Sequence, residues 1–398
     1  MQYDKVALVY DRVNKWGGAE RVLLMLHEMF PDAPLYTSVY SREKAPWANV
    51  FPEVIPSFLQ KFSFLRDRHE LLAPLMSLAF ESFDFSGYDL VISVTSEAAK
   101  GVITKPGTLH VCYCLTPTRY LWSHYELYFK NAVFRAVTKP LVFYLKHWDL
   151  IAAQRPDEMV AISLAVRERI RKYYAREVKL IFPPLSFKRS VFGDSSVDRD
   201  RQNPEVSYLF HSKGGMSLTH QGRMRRRRDS KSKGFYLVVS RLVKYKRVDL
   251  VIEALNELGH RLIIVGSGKE EGRLKKMAGR NIKFVKNLTD SELAGYYQNA
   301  RALIFPQEED FGLVSVEAQA AGCSVIAYGV GGALDTVIDT KTGIFFDKQD
   351  KKSLISAINR FEKLKFSRNE LLRNAKRFTE KKFKKEFLKV IGNVRKKL

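Results

Sequence analysis

Short apolar runs alternate with amphipathic helical stretches in two separate series, and between them lies a basic segment, 186–233, that has neither pattern. The first series holds "KVALVY" (5–10), a helix from about Ala19 to Phe30, "LYTSVY" (35–40), "DLVISV" (89–94), "LHVCYC" (109–114), "EMVAI" (158–162) and "VKLIF" (178–182). The second holds "FYLVVS" (235–240), "RLIIVG" (261–266), "IKFV" (282–285), "RALIFP" (301–306), "SVIAY" (324–328) and "TGIFF" (342–346). Continuously apolar strands separated by helices imply parallel sheets covered on both faces, so the expected class is α/β with two Rossmann-like lobes facing a cleft. A chain of 398 residues suits two such domains, each of about 150 to 200 residues. The expected division is 1–185, a basic and structureless insert at 186–233, a second lobe at 234–370 and a basic C-terminal helix at 371–398. Thr289-Asp290-Ser291-Glu292 predicts a capping-box helix start, and Gly322 predicts the end of the helix that holds Glu317.

The net charge of +24 invites a polyanion or nucleic-acid reading, but residues 186–233 and 351–398 carry +7 and +13 of it. The rest of the chain is nearly neutral, which argues against specific nucleic-acid binding and for attraction to an anionic membrane surface or a polyanion. "RMRRRR" (223–228) is read as a solvated run, and the Asp198-Arg199-Asp200 pair of carboxylates lies on neither a strand end nor a helix start. Cys112, Cys114 and Cys323 are too few for a disulfide framework and are expected as buried thiols. No stretch approaches the roughly 20 apolar residues of a spanning helix. "MQYDKVALVY" at the start lacks a basic-then-apolar signal, so a cytoplasmic protein is expected, peripheral at most at the inner face of the plasma membrane.

Open parallel sheets bind ligands beyond the carboxyl ends of their strands, and the loops there are unusual. After the first strand, Gly17-Gly18 directly precedes a helix, where backbone N–H groups can approach a phosphate; the same pair also suits a plain tight turn. In "SRLVKYKRVDL", Arg241 follows a strand and Lys246 comes just before a helix, two cations suited to a diphosphate. "GSGKE" (266–270) is either a turn beside a nucleotide base or only a turn. In "EEDFGLVSVEAQAAG" (308–322), Glu309 lies before a helix that starts near Gly312, so its acceptor oxygens meet the free amides of Phe311, Gly312 and Leu313. Donors and acceptors together suit a sugar. Glu317 lies about a turn and a half into that helix and leans towards its N-terminus, where a carboxylate can hold a vicinal diol such as that of a ribose. In "LTPTRYLWSHYELYF" (115–129), Arg119 beside Tyr120 and Trp122 offers an acceptor-side wall for a phosphate-linked glycan, or ordinary aromatic packing. Residues 58–80 and the tail "KRFTEKKFKKEFLKV" mix bases with apolar residues at near-helical spacing, a pattern suited to a membrane surface, although for the tail a closing helix with a solvated basic face is the favoured reading.

"WGGAERV", "YCLTPTRYLWSHY", "SRLVKYKRVDLVIEA", "EEDFGLVSVEAQAAG" and "GVGGALDTVIDTKTGIFF" occur in this order, and the chain resembles the family 4 retaining glycosyltransferases of the GT-B fold, most closely the bacterial mannosyltransferase-type enzymes of surface polysaccharide biosynthesis. The resemblance covers about 1–185 and 234–350. It implies that Arg241 and Lys246 hold the donor diphosphate, that Gly17 and Gly18 close over it, that Glu317 binds the ribose, and that Glu309 with the amides of Phe311, Gly312 and Leu313 binds the donor sugar. It further implies hexosyl transfer with retention, without a metal or other cofactor, from a nucleotide sugar to a glycan or polyprenyl-diphosphate-linked acceptor. GDP-mannose is the leading donor, and a UDP-sugar (glucose or N-acetylglucosamine) is the rival. Two departures stand out: Leu115 occupies the third position of "CLTP", where the family often has histidine, and the 186–233 insert is long for a link between lobes.

Overall fold

The computed structural model describes residues 5–62, 73–123, 125, 132–185 and 234–395. The expected insert at 186–233, with its arginine run and its Asp198-Arg199-Asp200, lies outside the described residues, as do parts of the 58–80 and 115–129 stretches and the last three residues.

The first lobe runs β1 (Val6–Tyr10), α1 (Gly18–Met29), β2 (Leu35–Thr37), β3 (Val54–Pro56), α2 (Ala73–Glu81), β4 (Leu90–Thr95), β5 (Leu109–Cys114), α3 (Ala132–Ala152), β6 (Glu158–Ala161), α4 (Leu164–Tyr174) and β7 (Lys179–Leu180). The second runs β8 (Phe235–Val239), α5 (Val248–Leu258), β9 (Leu262–Val265), α6 (Glu271–Met277), β10 (Ile282–Val285), α7 (Asp290–Asn299), β11 (Ala300–Phe305), α8 (Leu313–Ala320), β12 (Val325–Tyr328), α9 (Ala333–Thr336), β13 (Gly343–Phe346) and α10 (Lys351–Phe361), with α11 (Arg368–Ala375) and α12 (Glu380–Arg395) closing the chain. Every expected apolar run forms a strand. The sheets have the orders β3-β2-β1-β4-β5-β6-β7 and β10-β9-β8-β11-β12-β13, and their strand pairs are parallel.

Strand order reverses beside β1 and beside β8, so each sheet has its ligand-binding crevice between the loops after β1 and β4, or after β8 and β11. The capping box at α7 is present, with Thr289 and Glu292 each closing the other's free backbone donor. Gly322 ends α8 in the left-handed region at φ 86°.

The tail does not stand apart. Phe383 and Phe387 of α12 lie 5.7 and 6.1 Å from the ring of Tyr113 on β5. With Val390, Ile391 and Val394 they enter the core of the first lobe. This spacing makes one apolar stripe, and each such buried side chain is worth about 1.5 to 3 kcal/mol. The lysines keep to the other face, where Lys384 pairs with Glu28 of α1 at 2.9 Å. Leu185 donates its N–H to Phe378 O at 2.7 Å, which ties the end of the first lobe to the returning chain. The free cysteines are buried, and among the described residues no helix is long and apolar enough to cross a membrane.

Candidate active site

The loop after β8 makes a tight 3-10 turn at Lys244–Lys246, closed by the Lys246 N–H on Val243 O at 3.0 Å. That turn faces the cation pair of the sequence towards one tyrosine. Arg241 is exposed and donates to the Tyr245 hydroxyl at 2.7 Å, while the Lys246 ammonium lies 5.1 Å from the centre of the Tyr245 ring. The buried Lys246 ammonium also pairs with Glu309 Oε1, to which Gln307 Nε2 donates at 3.3 Å. Tyr245, which no local motif singles out, thus touches both cations, while Glu309 fixes Lys246 from the other side.

Glu309 is held by its backbone, since its carbonyl accepts the Gly332 N–H at 2.8 Å. Gly332 must be glycine because a Cβ there would meet the Phe311 backbone at 2.2 to 2.4 Å. Phe311 is buried between Phe182 and Phe378, at 5.7 and 5.4 Å. Gly312 then caps α8 at φ 91°, a conformation open to glycine, and the helix geometry leaves the first amides of α8 free of intrahelical partners. Glu317 is 3% exposed. Its Oε1 accepts from Arg21 of α1, and its Oε2 accepts from the Tyr297 hydroxyl at 3.0 Å. Burial, reinforced by Glu317, holds the Tyr297 hydroxyl protonated far above the usual range. Burial pulls the Arg21 guanidinium down, but the Glu317 carboxylate outweighs it and Arg21 ends above its ordinary value.

On the first lobe, Asp11 at the end of β1 is buried and accepts the backbone N–H groups of Ser96, Glu97, Ala98 and Ala99 at 2.6 to 3.0 Å. It thereby locks the loop after β1 to the loop after β4. Arg12 reaches over as a fork to Glu97, at 2.9 and 2.7 Å. Loss of hydration at the cleft wall, reinforced by Arg12 and Arg241, lowers Lys15, although its side chain keeps contact with solvent. Gly17 caps α1, and a Cβ on Gly18 would lie 3.2 Å from Leu313 Cδ1, so the paired glycines abut the start of α8.

Arg119 bonds Asp310 across the cleft, and Arg169 of α4 takes the other Asp310 oxygen and Glu308 Oε1, the latter at 2.7 Å. Tyr120 beside it is half-buried, and burial followed by the nearby Glu97 raises its hydroxyl well above the usual range. Behind this loop Asp149 accepts Lys100 Nζ at 2.6 Å, Thr118 Oγ1 at 2.9 Å, Trp122 Nε1 at 2.7 Å and Tyr174 OH at 2.8 Å. Leu115 packs against the first-lobe core.

Gly17, Gly18, Arg241, Lys246, Glu309, Phe311, Gly312, Leu313 and Glu317 thus collect at the two crevices, with Arg119 at the edge. Sequence reading missed Arg21, Asp310 and Arg169, which meet partners 296, 191 and 141 positions away. No local spacing reports such pairs. Among the described residues no group of three or more His, Cys, Asp or Glu gathers as a metal site.

Residues 222–378 match the family model described as glycosyl transferases group 1. The chain is 28% identical over 162 residues to the capsular polysaccharide biosynthesis glycosyltransferase CapM of Staphylococcus aureus, covering 38% of this chain and 42% of that one. It is 32% identical over 156 residues to a GDP-mannose-dependent alpha-(1-6)-phosphatidylinositol monomannoside mannosyltransferase of Mycolicibacterium smegmatis, covering 35% and 41%. The match thus spans about two fifths of the length of these curated relatives. Among solved structures, Anabaena HepE with UDP and glucose superposes at a TM-score of 0.62 with 18% identity, covering 98% of this chain and 100% of that one. Sucrose-phosphate synthase from Thermosynechococcus elongatus gives 0.67 with 16% identity, covering 99% and 100%. Two parallel-sheet lobes meeting at their strand-end crevices give this chain the fold of the GT-B glycosyltransferases.

Proposed function

We propose that the protein is a nucleotide-sugar-dependent glycosyltransferase that moves a hexose to an acceptor hydroxyl with retention of anomeric configuration. The observation that carries this reading is the gathering of Arg241, Lys246, Glu309 and Glu317 at the carboxyl ends of β8 and β11, opposite Gly17 and Gly18. As the glycosidic bond lengthens, negative charge grows on the departing diphosphate and positive charge on the sugar ring. Arg241 and Lys246, already placed by Tyr245 and Glu309, stabilise the first, as do the amides at the starts of α1 and α8. Glu309 accepts donor-sugar hydroxyls and Glu317 the ribose diol. A leaving phosphate oxygen takes the acceptor proton on the same face, so no protein base and no metal is assigned.

The donor is GDP-mannose, a reading supported by the mannosyltransferase among the relatives. UDP-glucose is the second reading, favoured by the HepE complex with UDP and glucose. The acceptor is a glycan or a polyprenyl-diphosphate-linked glycan of surface polysaccharide synthesis, in keeping with CapM. Peripheral contact with an anionic membrane is supported by exposed Phe58, Phe62, Leu75 and Leu78, and by Val137 and Phe143 on α3. A thermal-shift panel of GDP, UDP, ADP and dTDP with their sugars, in EDTA, tests the donor site. Stabilisation by one nucleotide, lost in Glu317→Ala, is expected; no stabilisation by any of them overturns the reading in favour of a polyanion-binding protein.

A further inference from the structure

Contacts alternate along the loop after β11. Glu308 reaches Arg169 of the first lobe, whereas Gln307 and Glu309 meet each other beside Lys246. The two carboxylate oxygens of Glu309 are then used differently. Oε1 takes both the Lys246 ammonium and the Gln307 Nε2 amide, the latter at 3.3 Å, which fills its two acceptor positions. Oε2 accepts from no group among the described residues, and 28% of the Glu309 side chain stays exposed. One oxygen is anchored and the other is left open.

Gln307 gains little for itself from this arrangement. It is 2% exposed, and no donor among the described residues reaches its Oε1, so a buried acceptor is left unpaired, which is costly. Turning the amide over would not help, because it would set a carbonyl oxygen against the Glu309 carboxylate. The bond that Gln307 does make is the one to Glu309, and an amide supplies that donor without adding a charge beside Lys246. Lys246 alone would be a single pivot about which the carboxylate could turn. A second donor on the same oxygen, from a different element of the sheet, removes that freedom.

We propose that Gln307 is a positioning residue for the donor sugar, acting through Glu309: with Lys246 it fixes the plane of the carboxylate, so that Oε2 meets the sugar hydroxyls in one orientation. The inference rests on the donor-site reading above. What Gln307 serves is the hexosyl part of the nucleotide sugar and not the nucleotide, and that separates its role from a merely structural one.

Calorimetric titration of the full chain with GDP-mannose, GDP, UDP-glucose and UDP tests it on wild type and Gln307→Met. Methionine matches glutamine in length and lacks both the donor and the unpaired acceptor, so the thermal midpoint should not fall. Affinity for the nucleotide sugar that binds wild type should drop by at least about fivefold, while affinity for its nucleoside diphosphate stays within about twofold. Gln307→Glu, which sets a like charge against Glu309, should widen the same split. Gln307→Leu is read in the same way as Gln307→Met if the methionine variant does not fold. Equal weakening of nucleotide sugar and nucleotide, or no change in either, overturns the positioning role while leaving the donor site intact. Wild type that binds none of the four ligands overturns the donor-site reading, and the positioning role with it.

Discussion

Arg119 of the first lobe holds one oxygen of Asp310 of the second, and Arg169 holds the other. These groups are only 15 to 26% exposed, so Asp310 is the shared anion of two largely covered guanidinium groups and its loss costs more than that of an exposed surface pair. Asp310→Asn should lower the unfolding free energy by about 1 to 3 kcal/mol. Small-angle scattering should show a larger maximum dimension, and high salt should produce the same change in wild type by screening. Identical scattering for the two proteins would show that the clamp does not hold the lobes.

Asp149 is buried more deeply still, because it and Lys100 are each 1% exposed and share their network with Thr118, Trp122 and Tyr174. Removing the carboxylate strands a buried ammonium behind the loop that carries Arg119. Asp149→Ala should cost about 3 to 5 kcal/mol in urea unfolding, and a loss below about 1 kcal/mol would contradict the assignment.

Asp335 of α9 accepts the Leu164 N–H at the start of α4 at 3.0 Å, so it too spans the lobes. Burial raises its carboxyl to about 6 from an ordinary value near 3.8, against the lowering effects of that N–H and of Arg377 and Arg167. Between those two values the folded protein binds more protons than the unfolded chain. The stability from this group is therefore gained as pH falls through about 6 and lost as pH rises through it. Comparing denaturant unfolding of wild type and Asp335→Asn from pH 7 to pH 4 should show wild type gaining relative to the variant. A parallel pH profile would rule the effect out.

Gly332 gives a steric test of the Glu309 loop. A methyl there meets the Phe311 backbone and not the end of a flexible side chain, so Gly332→Ala must move Glu309 or Phe311, at about 1 to 3 kcal/mol. Nucleotide-sugar binding should weaken more than thermal stability falls. Unchanged binding would show that the 309–312 loop does not touch the donor.

The strands were legible because a parallel strand buried on both faces is a continuous apolar run, as in "VALVY" and "LHVCYC". β3 was not, since Val54–Pro56 is three residues long and half-exposed at the sheet edge. Local chemistry exposed Gly17-Gly18, Arg241, Lys246, Glu309 and Glu317, each beside its own strand or helix end. The partners of those residues were hidden wherever they come from the other lobe, as Arg21 does for Glu317. For the same reason the apolar stripe of α12 announced a helix but not that its place is against Tyr113.

Release of nucleoside diphosphate from the donor that stabilises the protein, measured with acceptor present for wild type, Arg241→Ala and Lys246→Ala, tests the central claim most directly. The account predicts that each variant loses at least about a hundredfold in kcat while keeping its fold, because the diphosphate charge that develops in the transition state has lost a preset cation. Near-normal turnover in both variants would contradict it.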